Sequence, residues 1–146
     1  MSTKIFVNLP VRDLNKSMAF FKSLGWTFNP QFTDDTAASM VISEDIYAML
    51  LTHKKFSEFA DRKIADAGSV EALIGISVDS RAEVNRIVDA AMKAGAREAK
   101  PPQDYGFMWL RSFLDLDGHH WEVLYMDPAH VQPRESATHS ASFSVW

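Results

Sequence analysis

The chain contains no cysteine. This absence excludes disulfides, thiolate metal ligands and cysteine nucleophiles, and it favours a reducing, cytoplasmic location. Long apolar runs are also missing, since none approaches the roughly 20 residues that a membrane-spanning helix needs. The N-terminal residues lack the extended apolar core of a secretory signal peptide. We therefore expect a cytoplasmic protein without a membrane partner.

Basic runs are absent as well. The chain has 15 Lys and Arg residues against 19 Asp and Glu residues, which gives a formal net charge of −4. Because binding to a phosphate backbone depends on a patch of Lys and Arg, we expect no nucleic-acid partner. The glycine-rich phosphate loop, the His-Glu-Xaa-Xaa-His motif and the Gly-Xaa-Ser-Xaa-Gly motif are missing too.

Residue periodicity predicts a strand, a helix and three further strands in the first part of the chain. The run Lys4–Pro10 is rich in β-forming residues and ends at a proline. Asp13 is a good N-cap for the following helix, and Gly25 ends that helix at its C′ position. The further strands are Trp26–Phe32, which Pro30 interrupts, Ala38–Ser43 and Ile46–Thr52.

The same order of elements returns in the second part. Val70–Asp79 predicts a strand, Ser80 and Glu83 form a capping box, and Gly95 ends the second helix. Three strands follow: Arg97–Lys100, Gly106–Leu116 and His119–Met126. We therefore predict an α+β fold in which two βαβββ units form a mixed, curled sheet around a cleft, with the helices outside.

The length of 146 residues fits a single domain. Within it we place the first unit at 1–53, a linker with a short helix at 54–69, the second unit at 70–127 and a tail at 128–146. Residues Ser142–Trp146 alternate between polar and apolar types. The tail is therefore either a flexible terminus or a segment that docks on a sheet edge or a partner.

Three motifs accompany the repeat. They are Val11-Arg12-Asp13-Leu14 before the first helix, Ser77-Val78-Asp79 before the second, and Asp115-Leu116-Asp117-Gly118 followed by Glu122. Together they resemble the vicinal oxygen chelate superfamily, which contains glyoxalase I, bleomycin-resistance proteins and extradiol dioxygenases. The segment Gln103-Asp104-Tyr105-Gly106-Phe107 is similar to the branch of predicted lactoylglutathione lyases. The resemblance spans about Lys4 to Asp127.

The resemblance implies one half-open barrel per unit, a homodimer and, in active members, a divalent metal held by His, Gln or Glu from four strands. The four ligand positions fall on Phe6, Leu50, Leu73 and Glu122 in this chain, and a register error would move the second to Thr52. Three of the four are carbon side chains, which cannot coordinate a metal. We therefore expect no cofactor, with a divalent metal on shifted ligands as the alternative.

Glu122 is the residue on which the functional hypotheses depend. A carboxylate on an otherwise apolar strand must be paired, hydrogen-bonded or bound to a metal. Its structural interpretation is a pair with Arg111 or with the amide of Asn8 across the sheet. Its functional interpretation is a general base or hydrogen-bond acceptor at the floor of a ligand pocket, which makes Glu122 the candidate catalytic residue.

His120 points to the same face of the strand as Glu122, whereas His119 points to the other face. A shifted metal site would combine His120 and Glu122 with His53, which follows the fourth strand. The structural interpretation is that these histidines lie at turns and strand ends in contact with solvent. The sequence favours that interpretation.

The aromatic stretch from Tyr105 to Phe113 supplies further candidates. Trp109 and Arg111 share one face of the predicted strand, and Tyr105 lies on the preceding loop. They either pack in the core or form a stacking wall with a cation for an anionic group. The ligand-binding candidates are therefore Phe6, Asn8, Leu50, Leu73, Tyr105, Trp109, Arg111 and His120.

The leading functional hypothesis is a glyoxalase-like protein that binds a small, partly apolar, anionic molecule in its cleft without a stably bound metal. The alternative is a metal-dependent lyase or ring-cleaving dioxygenase that uses His53, His120 and Glu122. A third hypothesis is a non-catalytic interaction module that uses the tail. Exposed strand edges favour a homodimer in each case.

Overall fold

The computed structural model describes residues 2–130. The predicted docking of Ser142–Trp146 concerns residues outside this described part. Within residues 2–130, no helix has the length and apolar character required to cross a membrane.

Each part of the chain contains a strand, a helix and further strands. The first part comprises β1 (Ile5–Val11), α1 (Leu14–Ser23), β2 (Thr27–Asn29), a 3-10 helix (Pro30–Phe32), β3 (Ala37–Ser43) and β4 (Ile46–Thr52). Helix α2 (His53–Phe59) opens the linker, as predicted. The second part comprises β5 (Leu73–Ser77), α3 (Arg81–Lys93), β6 (Arg97–Glu98), β7 (Gln103–Asp104), β8 (Met108–Leu114) and β9 (His120–Met126). The α+β class is confirmed.

The two parts form two mixed sheets with the same strand order. One sheet has the order β1-β4-β3-β2, and the other has the order β5-β9-β8-β6 with β7 added to β8. In both sheets the first and last strands of the repeat pair in parallel, whereas the remaining pairs are antiparallel. Strands β1 and β5 are therefore sheet edges.

The helix ends follow the local chemistry that the sequence predicted. The side chain of Asp13 accepts a hydrogen bond from the backbone N–H of Lys16, and Ser80 accepts one from Glu83. The glycines after both helices have positive φ, 101° at Gly25 and 111° at Gly95. Only half of the capping box forms, because the Glu83 carboxylate binds Arg86 at 2.7 Å.

Side chains from one face of each sheet meet α1 and α3 in a single core. The ring of Trp121 on β9 lies 5.5 Å from both Phe21 of α1 and Trp26. The core also contains Leu9, Met40 and Leu50 from the first sheet and Phe113 and Val123 from the second. We call these the inner faces. The opposite faces, called outer faces below, point away from this core.

Two predicted strands differ from the structure. The segment Trp26–Phe32 becomes strand β2 followed by a 3-10 helix, because Asn29 caps the helix and Pro30 occupies its first turn. The segment Val70–Asp79 is a strand only over Leu73–Ser77, the residues that pair with β9.

Candidate functional site

The outer face of the second sheet carries the polar pair that the sequence singled out. In register, Leu73 of β5 lies beside His120 of β9, which lies beside Leu114 of β8. Two residues further along the strands, the next row that faces the same way contains Gly75, Glu122 and Ser112. Residues in register on neighbouring strands project to the same face, so these rows define the second outer face.

His120 and Glu122 lie next to each other on this face. The Nε2 atom of His120 is 3.5 Å from Oε2 of Glu122, with 9% and 22% of the two side chains exposed. Nε2 makes no hydrogen bond although it is buried. A buried polar atom without a partner costs free energy, so a ligand group that binds here would recover that cost.

The surroundings of the pair are mainly apolar. Leu124 and Met108 are buried on the same outer face, whereas Leu73 is 60% exposed. Leu110 and Leu114 are partly exposed. An apolar floor with one pair of convergent polar groups is the usual composition of a small-molecule site.

The outer face of the first sheet carries two other predicted residues. Phe6 is 53% exposed and stacks on Tyr47 with the ring centres 4.9 Å apart. Asn8 lies one row further along the strand, beside Met49, and its amide donates to the carbonyl of Phe6. Phe6 and Asn8 thus lie on a different sheet from His120 and Glu122, and we call their surface the first outer face.

Leu50 does not lie with Phe6. It is fully buried in the core because it pairs with Leu9 on the inner face of the first sheet. Thr52, the alternative position, points to the same face of β4 as Leu50 and pairs with Val11. The β4 residues that share the outer face with Phe6 include Tyr47 and Met49, so neither Leu50 nor Thr52 lies on the same face as Phe6.

Trp109 and Arg111 lie on the inner face, towards helix α3. The indole Nε1 of Trp109 donates to Asn85 at 3.0 Å, and Arg111 forms an ion pair with Asp89 at 2.9 Å. The expected pair between Arg111 and Glu122 is therefore wrong, and so is the pair between Glu122 and Asn8, which lies on the other sheet. Neither Trp109 nor Arg111 contributes to the second outer face.

Tyr105 lies on the loop before β8, as predicted. Its side chain is 47% exposed, and its hydroxyl donates to Gln103 at 2.6 Å. Glycine follows it at position 106 with φ 84°, which allows the loop to turn into the strand. The structure gives Tyr105 an exposed ring without a contact to His120 or Glu122.

The shifted metal site is not assembled. Over residues 2–130, no three His, Asp or Glu side chains converge in an arrangement that could hold a metal ion. His53 begins helix α2 and lines a cavity with Arg12 and Asp117, and neither His120 nor Glu122 lines that cavity. The structure therefore leaves His120 and Glu122 as a pair.

The sequence reasoning missed the role of His119. Its buried imidazole contacts the carbonyl of Pro10 through Nε2 at 2.8 Å and the carboxylate of Glu71 through Nδ1 at 2.7 Å. Burial by itself lowers the pKa of His119, but Asp115, the Pro10 carbonyl and Glu71 together outweigh it and raise that pKa. A carbonyl only accepts, so Nε2 carries a proton, and the charged imidazole satisfies both neighbours.

Asp115 is the buried acceptor of the same turn. Its carboxylate accepts from the indole of Trp121 at 3.0 Å and from the backbone N–H groups of Asp117 and His119. Burial raises the pKa of Asp115, although His119 and these hydrogen bonds favour its charged form. The Asp-Xaa-Asp-Gly spacing, a turn signal in the sequence, was the available clue to this arrangement.

Asp117 connects the turn to the first part of the chain. It accepts hydrogen bonds from the backbone N–H of Arg12 at 2.9 Å and from its guanidinium at 3.1 Å. Two of the motifs that carried the family resemblance, at Val11–Leu14 and at Asp115–Gly118, therefore bind each other. Their chemistry serves the junction between the two parts of the chain.

One family model matches the N-terminal part of the chain. The model of the bleomycin resistance protein-like N-terminal family matches residues 3–43. Comparison with curated protein sequences returned no match.

Many solved structures share this fold. A hypothetical protein from S. aureus is 29% identical with a TM-score of 0.72, and the match covers 86% of this chain and 95% of that one. A glyoxalase/bleomycin resistance protein/dioxygenase family enzyme from Burkholderia phytofirmans is 17% identical with a TM-score of 0.72, covering 86% and 99%. A glyoxylase/bleomycin resistance protein/dioxygenase domain from Frankia is 25% identical with a TM-score of 0.67, covering 89% and 96%.

Proposed function

We propose that the chain belongs to the vicinal oxygen chelate superfamily, which its fold and the family match of residues 3–43 support, and that it binds a small, partly apolar molecule on its second outer face. The observation that carries the proposal is the buried, unpartnered Nε2 of His120 beside Glu122. A ligand hydroxyl that accepts from His120 and donates to Glu122 would satisfy both side chains.

The chemistry of this face defines the ligand. An apolar body of the ligand would cover Leu73, Leu110 and Leu114, which surround the polar pair. The predicted anionic group cannot use Arg111, which is bound to Asp89. Arg97 replaces it in the proposal, because it pairs with Leu114 and so lies in the same row as His120, two strands away. That separation is roughly 10 Å at the usual strand spacing, which a small ligand spans.

Binding in this proposal does not require a bound metal. The family ligand positions at Phe6 and Leu73 are carbon side chains, and a divalent ion needs several oxygen or nitrogen donors. Elemental analysis of protein purified without chelators tests this part. We expect no stoichiometric Ni, Zn, Fe or Mn after dialysis, and one retained equivalent of any of them would overturn the metal-free proposal.

The proposed site is completed by a second copy of the chain. Each outer face carries an exposed apolar side chain on its edge strand, Phe6 at 53% on the first and Leu73 at 60% on the second. Two copies that bring the first outer face of one onto the second outer face of the other would cover these side chains. Phe6 and Asn8 of one copy would then lie opposite His120 and Glu122 of its partner, which restores the single cleft that the sequence predicted.

The ligand-binding proposal is tested by screening small aromatic and aliphatic acids and alcohols against the ¹⁵N-labelled protein. We expect ligands to shift the amide signals of Leu73–Ser77 and His120–Leu124. Glu122→Gln and His120→Gln should each weaken binding by about tenfold, the cost of one charge-assisted hydrogen bond in a partly buried site.

Glu98→Gln is the matched control, because Glu98 is an exposed glutamate of the same sheet that pairs with Phe113 on the inner face. We expect it to bind like the wild type. Ligands that shift only other parts of the chain, or that bind equally well to Glu122→Gln and His120→Gln, would contradict the proposal.

A further inference from the structure

The cavity that His53 lines lies at the junction between the two parts of the chain. It has a volume of about 290 Å³ and is formed by the end of β1, the start of α2, the linker and the turn between β8 and β9. Its apolar lining includes Pro10, Ile64 and Ala67, and its hydrogen-bond donors include Arg12, His53 and Lys63. His120 and Glu122 do not line it, so the cavity is separate from the proposed site on the second outer face.

Most hydrogen-bond acceptors at this cavity already have partners. The carboxylate of Asp117 accepts from Arg12 through one oxygen and from Ser17 through the other. Asp66 uses one oxygen for the backbone N–H of Gly68 and the hydroxyl of Ser69. Both nitrogens of His119 are occupied by Pro10 and Glu71. One oxygen of Asp66 is the acceptor that remains among these side chains.

The donors outnumber that acceptor. Among residues 2–130, Lys63 and His53 make no side-chain hydrogen bond or ion pair, and Arg12 uses Nε and Nη2 but not Nη1. Asp66 can satisfy one of these three groups, so two donors remain for a ligand. Arg12, His53 and Lys63 are exposed and present donors that lack a protein acceptor, and two positively charged side chains among them make the cavity complementary to an anion.

We propose that this cavity binds a small organic carboxylate. The carboxylate would accept from Lys63, His53 and the free Nη1 of Arg12, while a short apolar body packs against Pro10, Ile64 and Ala67. The volume is near the lower end of ligand pockets, roughly 300–1,000 Å³, which limits the ligand to a small molecule. An inorganic phosphate would leave the apolar lining uncovered, so the lining favours a carboxylate with a hydrocarbon body.

Titration of the ¹⁵N-labelled protein with benzoate tests this proposal. Benzyl alcohol serves as the uncharged match and inorganic phosphate as an anion without an apolar body. We expect benzoate to shift the amide signals of Lys63–Ala67 and of His119, and we expect benzyl alcohol and phosphate to bind at least about tenfold more weakly, as loss of the ion pairs or of the apolar contacts predicts.

The matched variants are Lys63→Gln and Lys93→Gln, since Lys93 is a lysine in the last turn of α3, outside the cavity. Lys63→Gln should weaken benzoate binding about fivefold, the effect of removing one solvent-accessible charged donor. Lys93→Gln should leave benzoate binding unchanged. Amide spectra of both variants show whether the fold is intact.

Any of five results would overturn the proposal, and the first four concern affinity and the cavity itself. They are equal affinity for benzyl alcohol, affinity for phosphate as high as for benzoate, unchanged binding in Lys63→Gln, and the absence of benzoate-induced shifts at Lys63–Ala67. Shifts confined to His120–Leu124 would also overturn it, because benzoate would then occupy the second outer face. That last result would support the proposed function, so the two proposals fail separately.

Discussion

Alternate residues of the segment from Asp115 to Glu122 belong to two different structures. The odd-numbered residues Asp115, Asp117 and His119 form the junction between the two parts of the chain, and Trp121 belongs to the core. The even-numbered His120 and Glu122 lie on the second outer face. The turn between β8 and β9 places Asp115, Asp117 and His119 at the junction, and alternation along β9 separates Trp121 from His120 and Glu122, so neighbouring substitutions should have different consequences.

Replacement of Asp115 should destabilise the fold severely. Asp115→Ala leaves the indole N–H of Trp121 and the backbone N–H groups of Asp117 and His119 without their acceptor. Each buried donor that loses its partner costs about 1–3 kcal/mol, so we expect the free energy of unfolding to fall by about 2–4 kcal/mol. Urea unfolding measures the change.

Asp35→Ala is the control for this experiment, because Asp35 is exposed and makes no side-chain hydrogen bond or ion pair within residues 2–130. It should change the free energy of unfolding by less than about 0.5 kcal/mol. A loss in Asp115→Ala as small as that of Asp35→Ala would show that the buried carboxylate does not stabilise the turn.

His119 should make stability depend on pH above neutrality. Its pKa is raised above the ordinary 6.5 in the folded state, chiefly because the effects of Asp115, the Pro10 carbonyl and Glu71 exceed that of burial. The stabilisation is complete below the pKa of the unfolded chain and is lost as pH rises through the folded pKa. Urea unfolding of the wild type should therefore show falling stability as pH is raised from about 6.5.

The variant His119→Gln should lack this slope, because glutamine does not titrate. Titration of Asp115 does not explain a difference between the pH profiles of the wild type and His119→Gln, because the Asp115 carboxyl is present in both proteins. The pKa of Asp115 is raised from the ordinary 3.8 of an aspartate. Equal pH profiles for the wild type and His119→Gln would contradict the assignment of a charged imidazole at this junction.

At the scale of the elements, the two helices end at glycines for the same conformational reason. Gly95 has φ 111°, and a Cβ built on it would lie 3.2 Å from Leu116. Gly95→Ala should therefore lower the free energy of unfolding by about 1–2 kcal/mol, because a residue with Cβ is strained at positive φ. Thermal or urea unfolding measures the loss.

Gly68→Ala is the matched control, since a Cβ at Gly68 would make an ordinary contact of 3.4 Å with Asp66 and the backbone there does not require glycine. We expect a change within about 0.5 kcal/mol. If Gly95→Ala were as stable as Gly68→Ala, the positive φ would not be what selects glycine at the end of α3.

Sequence periodicity identified the elements but not the orientation of every strand. Strand β4 contains the run Ala48-Met49-Leu50-Leu51, which is apolar on both faces. A run without alternation does not show which residues point inward, so the sequence did not reveal that Leu50 faces the core while Met49 faces outward. In β8 the alternation was correct, but only the structure shows that α3 lies on the side of Trp109 and Arg111, where Asn85 and Asp89 bind them.

The candidate site was predictable only in part, because long-range contacts decide it. The shared face of His120 and Glu122 follows from local alternation. The partners of His119 are 109 and 48 residues away in the sequence, at Pro10 and Glu71, and no local pattern indicates contacts of that kind. The separation of Phe6 from Glu122 likewise depends on how the two sheets pack around α1 and α3.

At the scale of the whole molecule, the open outer faces make the oligomeric state the decisive quantity. Two copies that pair these faces must bury enough surface for a stable interface, about 800 Å² per partner. Phe6→Asp and Leu73→Asp place a charge at the exposed edge of each face, so either should convert the proposed dimer to a folded monomer. Sedimentation velocity measures the change, and circular dichroism verifies the fold.

Met92→Asp is the control for these variants, because Met92 is a 38% exposed apolar residue on helix α3 and lies on neither outer face. It should leave the dimer intact. A wild-type monomer at all accessible concentrations would contradict the pairing, and so would dimers in both Phe6→Asp and Leu73→Asp. Because the proposed cleft needs residues from both faces, the monomeric variants should also bind ligands of the second outer face more weakly, which links the oligomeric state directly to function.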